Sequence, residues 1–267
     1  MKTPRFALPL RLLPAILLLL VAGQPAMAAM AADIANDAAP GSPYAIVVNG
    51  DDSFTHNYNV SLALGALAQL RYRGDHVLLL AAKAPEAPEI SPVRLPATPA
   101  GIRDAVRRLR EKVTAADLLL VYLTGHGDRE FGHTELSLTH GSISAEALAR
   151  ELSSIPFGTL IFISDTCYSG GFAEAMAKLP RNVVAVASVD AHHETRCEPF
   201  IRPLWGAVND LANDRNGDGF VSIEEAFQVG AAAVSGNLAK VMPGVVPLYA
   251  AAGACKGREN RLAVSQR

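Results

Sequence analysis

The sequence has no excess of basic charge, few cysteines and no internal repeat. Its formal net charge is -2 over 267 residues, so we expect no nucleic-acid partner. Cys167, Cys197 and Cys255 are its three cysteines, and this odd number leaves at least one thiol unpaired even in an oxidising compartment. An unpaired thiol is a candidate reactive group. A disulfide between Cys197 and Cys255 is an open alternative for the other two.

Long apolar runs are also missing, except for one at the N-terminus that has the organisation of a secretory signal peptide. Three basic residues, Lys2, Arg5 and Arg11, precede "LLPAILLLLVAG", and "AMA" at 26–28 is a small-residue cleavage site. We expect residues 1–28 to be removed, which predicts an exported, periplasmic or secreted protein with no membrane contact after cleavage. An uncleaved anchor is the alternative, although the run is short for a membrane span.

The remaining chain predicts a flexible leader at 29–42, one α/β domain over 43–255 and a C-terminal tail at 256–267. Continuous Leu and β-branched runs, typical of strands buried on both faces, alternate with helical periodicities. The expected strands are "YAIVVNG", "HVLLLAA", "DLLLVYLT", "TLIFIS" and "NVVAVAS", with a late apolar "VVPLYA". "HTELSL" predicts a short excursion for which an antiparallel arrangement is an option, and the five prolines of 83–99 predict a surface loop. The pattern favours a mostly parallel central sheet with helices on both faces.

Two of these strands end in a side chain that can be reactive, and each is followed by glycine. "DLLLVYLTGHGD" places His126 after one strand and "TLIFISDTCYSGGF" places Cys167 after another. Sites in open α/β sheets form at the carboxyl ends of strands, and neighbouring strands lie about 4.8 Å apart. We therefore expect the two side chains to meet if their strands are neighbours.

A Cys–His dyad is the chemistry that this meeting predicts. The imidazole of His126 or a following helix N-terminus would favour the thiolate form of Cys167. The backbone amides of Gly127 and Cys167 would then face a substrate carbonyl as an oxyanion hole. Taken singly, a strand-end Cys reads as a small buried hydrophobe and a strand-end His as a satisfied polar residue. Their matched contexts favour catalysis.

The paired motifs "LLLVYLTGHGD" and "LIFISDTCYSGG" resemble the caspase–legumain superfamily of cysteine peptidases, which includes metacaspases and gingipains. His126 precedes Cys167 by 41 residues, whereas the caspase separation is about 50, and "AIVVNGDDSFTHNYNVSLALGAL" is also legumain-like. The resemblance implies a caspase–haemoglobinase-like fold, with His126 as general base, Cys167 as nucleophile and Gly127 in the oxyanion hole. The implied reaction is hydrolysis of protein or peptide substrates through a thioester.

Substrate preference departs from the legumain pattern. Legumains carry an Asn and an Arg just before a histidine in the first loop. If His56 aligns with that histidine, those positions hold Ser53 and Thr55. Because the Arg is missing, a preference for Asn or Asp is not implied.

Asp165, two residues before Cys167, matches an acidic pocket residue of metacaspases, which cleave after Arg or Lys. An acidic pocket without a compensating Arg favours a cation. The resemblance thus implies cleavage after Arg or Lys, with Asp165 at the base of the pocket and with help from Asp51 or Asp52. A turn or cap role for Asp165 is the alternative.

An acidic stretch, "DRNGDGFVSIEE" at 214–225, matches the calcium-loop pattern D-x-[DN]-x-[DN]-G-x5-E. Gly219 would make the sharp turn of such a loop. The expected oxygen donors are the side chains of Asp214, Asn216, Asp218, Ser222 and Glu225 and the carbonyl of Phe220. We expect a structural Ca²⁺ that holds the C-terminal helices. A solvated acidic turn that caps the next helix is the alternative.

Zinc is a weaker expectation. His133 and His140 flank "TELSLT" and could join His126, but no thiolate or carboxylate in the pattern completes the set. Two alternative functions also stay open. One is a catalytically silent relative that binds protein partners through the same cleft, and the other is a transpeptidase that passes the thioester to an amine. The sequence does not predict an oligomeric state.

Overall fold

The computed structural model describes residues 41–83, 89–195, 198–237 and 248–252. Within these ranges the chain forms ten strands, in one large sheet and one small sheet, and six α-helices. The strands are β1 (Pro43–Asn49), β2 (Val77–Leu80), β3 (Val93–Leu95), β4 (Leu118–Thr124), β5 (Gly127–Glu130), β6 (His133–Ser137), β7 (Ser142–Ser144), β8 (Thr159–Asp165), β9 (Asn182–Ala187) and β10 (Leu248–Ala252). The helices are α1 (Phe54–Gln69), α2 (Pro99–Arg110), α3 (Ala145–Ser153), α4 (Gly170–Ala177), α5 (Glu198–Ala207) and α6 (Ile223–Asn237).

The large sheet has seven strands in the order β10-β9-β8-β4-β1-β2-β3. All its pairings are parallel except that of β10 with β9. Continuous apolar sequences form these strands because both faces of the sheet are covered. β4, for example, is buried at all seven of its positions.

Helices cover both faces of the sheet. The apolar side chains of α2, α3 and α4 pack with one set of alternate strand residues, such as Val121 and Leu123. Those of α1, α5 and α6 pack with the other set, such as Leu120 and Tyr122. The predicted α/β class, with a mostly parallel sheet and helices on both faces, is confirmed.

Local signals explain where several helices begin. Thr98 precedes α2, and its Oγ1 accepts a hydrogen bond from Gly101 N at 3.0 Å. Ser144 caps α3 in the same way, accepting from Ala147 N at 3.2 Å. Both caps satisfy an amide that the first helical turn leaves without a partner.

The regions between the predicted strands are more ordered than the sequence pattern indicates. The proline-rich stretch contains the edge strand β3, which pairs with β2. It is only three residues long because Pro92 and Pro96 flank it and cannot donate to a ladder. The predicted excursion is a complete antiparallel sheet, β5-β6-β7, that begins at Gly127.

Several predicted segments lie wholly or partly outside the described residues: the signal peptide at 1–28, most of the leader, Cys197, Cys255, and the C-terminal tail. Gly41 and Ser42, which the sequence assigns to the leader, contact the domain, where Ser42 N donates to Asp117 Oδ1 at 2.6 Å. In the part of the chain that the structure describes, no helix combines the length and the apolar character needed to cross a membrane.

Candidate active site

The strands that carry the predicted dyad are neighbours. β4 pairs with β8 in parallel, and Thr124, the last residue of β4, lies opposite Asp165, the last residue of β8. His126 and Cys167 each follow their strand end by two residues, so the pairing brings both to one edge of the sheet. Gly127 touches the Cys167 backbone, since a Cβ at position 127 would lie 2.1 Å from Cys167 O. Only glycine permits this approach.

His126 contacts a carboxylate from a third loop. Its Nε2 lies 3.2 Å from Asp51 Oδ2, and its side chain is 74% exposed. Asp51 follows β1, the other neighbour of β4. Burial opposes ionisation of Asp51, but hydrogen bonds from Ser53 and the facing rings of His126 and His56 lower its pKa overall. Asp51, predicted as a substrate-binding residue, thus contacts the ring that the sequence predicts to be the general base.

His56 completes this group from the first turn of α1. Its Nδ1 lies 2.7 Å from Thr124 Oγ1, and its Nε2 lies 3.8 Å from Asp51 Oδ2. Its ring meets the His126 ring edge-on, with the centroids 5.6 Å apart. The sequence singles out His56 only as an alignment point. Its contact with His126 depends on the pairing of β1 with β4, which no local pattern reveals.

Cys167 is a free, partly exposed thiol. Its Sγ donates a hydrogen bond to Thr195 O at 3.6 Å, which only the protonated form can do. Burial raises the pKa of Cys167, and the negative charges of Glu194 and Asp165 act in the same direction. These effects, with burial the largest, favour the protonated thiol over the thiolate that the sequence predicts.

The residue after Cys167 holds a rare backbone conformation. Tyr168 has φ 56°, in the left-handed region, where the chain turns from β8 towards α4. Its N–H donates to His193 O at 2.9 Å, and its hydroxyl donates to Glu194 Oε1 at 3.1 Å. The loop after β9 thus holds the turn in place. Strain that is maintained by surrounding contacts is common at functional sites.

The antiparallel ladder leaves the Gly127 amide unused. Ser137 N donates to His126 O at 2.9 Å, which makes these two residues a hydrogen-bonded pair of the antiparallel ladder. Hydrogen-bonded and non-bonded pairs alternate in such a ladder, so the next pair, Gly127 with Leu136, is non-bonded. The Gly127 N–H therefore points away from β6.

Asp165 is enclosed rather than open to substrate. It is 0% exposed, and its Oδ2 accepts from Asn59 Nδ2 at 3.0 Å, Tyr122 OH at 3.4 Å and Thr124 Oγ1 at 3.3 Å. Arg202 Nε donates to the same Asn59 at 3.3 Å. Asp165 is thus neither a turn nor a cap residue. Only the side chain of Asn59 lies between Asp165 and the cation of Arg202. The expectation that no arginine compensates the charge of Asp165 therefore does not hold.

Asp52 lies apart from these contacts. It is exposed, and its backbone carbonyl accepts a hydrogen bond from Asn57 Nδ2 at 2.7 Å. This bond ties the loop after β1 to the start of α1. The loop that carries Asp51 is thereby braced against the helix that carries His56.

The 214–225 segment connects α5 and α6 and has a preorganised backbone. Asp214 Oδ1 accepts from Gly217 N at 2.8 Å, and Asp214 Oδ2 accepts from Gly219 N at 2.8 Å. Gly219 has φ 87°, which a residue with a Cβ rarely adopts. This is the sharp turn that the sequence pattern predicts at the sixth position of a calcium loop.

Glu225 joins the two ends of the same loop. It is 2% exposed, and it accepts from Arg215 N at 2.7 Å and from Ser222 N at 2.8 Å. Burial opposes its ionisation, but these hydrogen bonds prevail and lower its pKa.

The histidines expected to suggest zinc are separated in the structure. His133 Nδ1 pairs with Glu146 Oε1 at 3.3 Å, at the start of α3. Among the described residues, the group that brings three His, Cys, Asp or Glu ligand atoms within 4.8 Å of one another is Asp51, His56 and His126. The carboxylate of this group is that of Asp51, in the loop after β1. It does not come from the region of "TELSLT", where the sequence analysis looked for a ligand.

No family model and no curated protein sequence matches the chain. The crystal structure of protein GSU0716 from Geobacter sulfurreducens is similar in fold, with a TM-score of 0.56 and 14% sequence identity. The similarity covers 84% of this chain and 100% of that one. Likeness at this identity shows the fold alone. The chain has a mixed α/β fold with a mostly parallel central sheet, an arrangement consistent with a caspase-like fold.

Proposed function

We propose that the protein is an exported cysteine endopeptidase in which Cys167 is the nucleophile and His126 the general base. One observation carries the proposal: β4 and β8 are paired in register, so that His126 and Cys167 leave the sheet side by side. The close contact of Gly127 with the Cys167 backbone supports it. So does the partial exposure of Cys167.

The contacts of His126 indicate which nitrogen of its ring would take the thiol proton. Asp51 contacts His126 Nε2, so Nδ1 is the ring nitrogen left to accept the thiol proton. Asp51 then stabilises the imidazolium that forms. The ring is three-quarters exposed and has room to turn towards Sγ, as catalytic groups often do only when substrate is bound.

The chemical steps use groups already described. The sulfur of Cys167 attacks the peptide carbonyl, and the N–H groups of Gly127 and Cys167 stabilise the resulting oxyanion. His126 returns its proton to the leaving amine as the C–N bond breaks, which forms the thioester. Water then attacks the thioester while His126 takes its proton. The C–S bond breaks, the carboxylic acid product leaves, and His126 returns the proton to the sulfur of Cys167.

One assay distinguishes the proposed peptidase from the two alternative functions. We expect hydrolysis of an unstructured protein substrate, and loss of that hydrolysis in Cys167→Ala. His126→Ala should lower the rate by roughly 10²–10⁴-fold, the usual contribution of general base catalysis. His133→Ala, an exposed histidine outside the group, is the matched control and should act as wild type.

Other outcomes identify the other functions. Iodoacetamide labelling of Cys167 without any hydrolysis would point to a silent relative that binds partners. Ligated product in the presence of an added amine would point to a transpeptidase. Hydrolysis retained in Cys167→Ala would overturn the proposal.

We propose a preference for cleavage after Arg or Lys that rests on the carboxylate of Asp51 beside His126, because the enclosed Asp165 has Arg202 close by and does not by itself favour a cation. Since Asp165 is enclosed and Arg202 is near, a substrate cation must displace Asn59 or Arg202 to reach it. Peptides that differ only at the residue before the scissile bond test this preference. Faster turnover of Asn than of Arg would contradict it.

We also propose that the 214–225 loop binds a structural Ca²⁺. The Asp214 hydrogen bonds and the positive φ of Gly219 supply a backbone suited to oxygen coordination. The oxygen donors are those predicted from the pattern, namely Asp214, Asn216, Asp218, Phe220, Ser222 and Glu225. The ion would fasten α5 to α6.

Thermal unfolding tests the calcium proposal. Calcium at about 100 times its Kd stabilises by about 2.7 kcal/mol, which raises the Tm by roughly 5–10 °C in a domain of this size. Glu225→Gln should remove most of that shift. Glu224→Gln, the same substitution one residue earlier, should retain it. Equal melting curves in calcium and in chelator would contradict the proposal.

A further inference from the structure

Asp51, His56 and His126 form a compact group of metal-ligating atoms. Asp51 Oδ2 lies 3.2 Å from His126 Nε2 and 3.8 Å from His56 Nε2. One ligand atom from each residue lies within 4.8 Å of the other two. The three come from the loop after β1, the first turn of α1 and the loop after β4, which meet at the carboxyl edge of the sheet.

These separations suit Zn²⁺. Ligands at about 2.0–2.2 Å from a tetrahedral zinc ion lie about 3.3 Å from one another. The 3.2 Å separation already has that value, and the 3.8 Å separation needs to close by about half an ångström. Two imidazoles and one carboxylate are a zinc-type set, whereas Ca²⁺ and Mg²⁺ take oxygen ligands.

The contacts of His56 direct Nε2, the nitrogen that would bind the ion, towards Asp51. Thr124 Oγ1 donates its only proton to Asp165 Oδ2 at 3.3 Å. The same hydroxyl lies 2.7 Å from His56 Nδ1, so the ring is held through Nδ1. His56 Nε2 faces Asp51, at 3.8 Å from Oδ2. A ligand histidine held through its other nitrogen is the usual support of a protein zinc site.

The site is open on one side. His56 is buried and Asp51 is mostly buried, whereas the His126 side chain is 74% exposed. An ion can therefore enter past His126, and water can fill the fourth position. Zinc sites with three protein ligands and one open position are chemically accessible rather than closed.

We propose that Asp51, His56 and His126 bind Zn²⁺, and that the bound ion stops peptide hydrolysis by occupying the ring that serves as general base. Binding is independent of the peptidase proposal, and only the inhibition rests on it. Asp51 and His126 then have two exclusive states. In one they form an orienting pair for proton transfer, and in the other they are ligands of the ion.

The test is a titration of the whole mature chain with Co²⁺, a spectroscopic substitute for Zn²⁺, followed by competition with Zn²⁺. Excess Ca²⁺ is present so that oxygen sites are filled. We expect visible absorption typical of tetrahedral cobalt, without sulfur-to-metal charge transfer. Asp51→Asn and His56→Gln should each weaken binding at least about tenfold, and His133→Gln should not change it. Cys167→Ala should bind as wild type.

Melting curves confirm that each variant is folded. Asp51→Asn keeps its shape in a loop and so remains informative if His56→Gln unfolds. Binding lost in Cys167→Ala but kept in Asp51→Asn would overturn the proposal, because the metal would then sit on the thiol. Absence of binding to wild type would overturn it as well, while leaving the peptidase proposal intact. Binding without inhibition of hydrolysis would support the site and overturn its inhibitory role.

Discussion

At the scale of single residues, Cys167 shows how surroundings set reactivity. Its thiol donates to Thr195 O, and burial raises its pKa, with Glu194 and Asp165 adding to the effect. Below that raised pKa the sulfur keeps its proton, so the thiolate is a small fraction at neutral pH and grows as the pH rises. A thiol that keeps its proton reacts slowly in alkylation and oxidation, because the thiolate is the reactive form.

The pH dependence of alkylation tests this account. The rate of Cys167 labelling by iodoacetamide should still be rising where an ordinary thiol has levelled off. Glu194→Gln keeps the oxygen that Tyr168 donates to but removes a negative charge, so it should lower the pKa and speed labelling about twofold at neutral pH. Measurement is by mass spectrometry of the intact chain.

Glu111→Gln is the matched control. Glu111 is exposed at the end of α2, before the first residue of β4, whereas Cys167 follows the last residue of β8. It should leave the labelling rate unchanged. A labelling profile that levels off below the ordinary thiol value would contradict the neutral resting state.

At the scale of elements, the loops after β1, β4 and β8 meet through backbone contacts. A Cβ at Gly125 would lie 3.1 Å from Gly50 Cα, and one at Gly127 would lie 2.1 Å from Cys167 O. The backbones of these loops approach closely, so their positions are coupled. The relative placement of His126 and Cys167 therefore depends on how three strand ends approach, rather than on any one loop.

Substitution of Gly127 tests this coupling. Gly127→Ala should destabilise the protein by about 1–3 kcal/mol, because the added methyl meets backbone atoms that cannot move aside cheaply. It should also abolish most hydrolysis by displacing the Cys167 amide. Urea unfolding and the peptide assay measure the two effects.

Gly206→Ala is the control for the backbone change itself. Gly206 lies in α5, and a Cβ there would meet nothing within 4 Å. It should be neutral or stabilise by about 0.5–1 kcal/mol, since alanine favours the helix. Equal stability of the two variants would show that the close approach at Gly127 is not a constraint.

At the scale of the whole molecule, β10 closes an edge that would otherwise be exposed. β9 is buried along most of its length, and β10 pairs with it in antiparallel register from Leu248–Ala187 to Ala252–Val183. Without β10, this apolar strand would present unpaired amides and carbonyls to other molecules, which favours aggregation. We therefore expect β10 to keep the protein monodisperse.

Truncation tests the role of β10. A chain that ends after Asn237 should aggregate, whereas one that ends after Ala252 should elute like the full chain. Size-exclusion chromatography at several concentrations distinguishes them. If the shorter chain stays monodisperse, β10 is not what protects the β9 edge.

Local sequence determined most of the secondary structure, because apolar runs and helical periodicity reflect burial that each segment carries with it. The strands from "YAIVVNG" to "NVVAVAS", the cap at Thr98 and the turn at Gly219 all follow from such local signals. The edge strand β3 was missed because three residues between prolines give too short a pattern. Motif spacing placed His126 and Cys167 at strand ends without showing the order of the strands.

The strand order was decided only in three dimensions, and the chemistry depends on it. β1 pairs with β4, so Asp51 and His56 reach His126 although 70 residues separate His56 from it in the chain. Asp165 is enclosed because Asn59, Tyr122 and Thr124 converge on it from α1 and β4. A sequence pattern reports the environment of each segment, whereas desolvation, pKa and ligand distances arise between segments that meet only when the sheet forms.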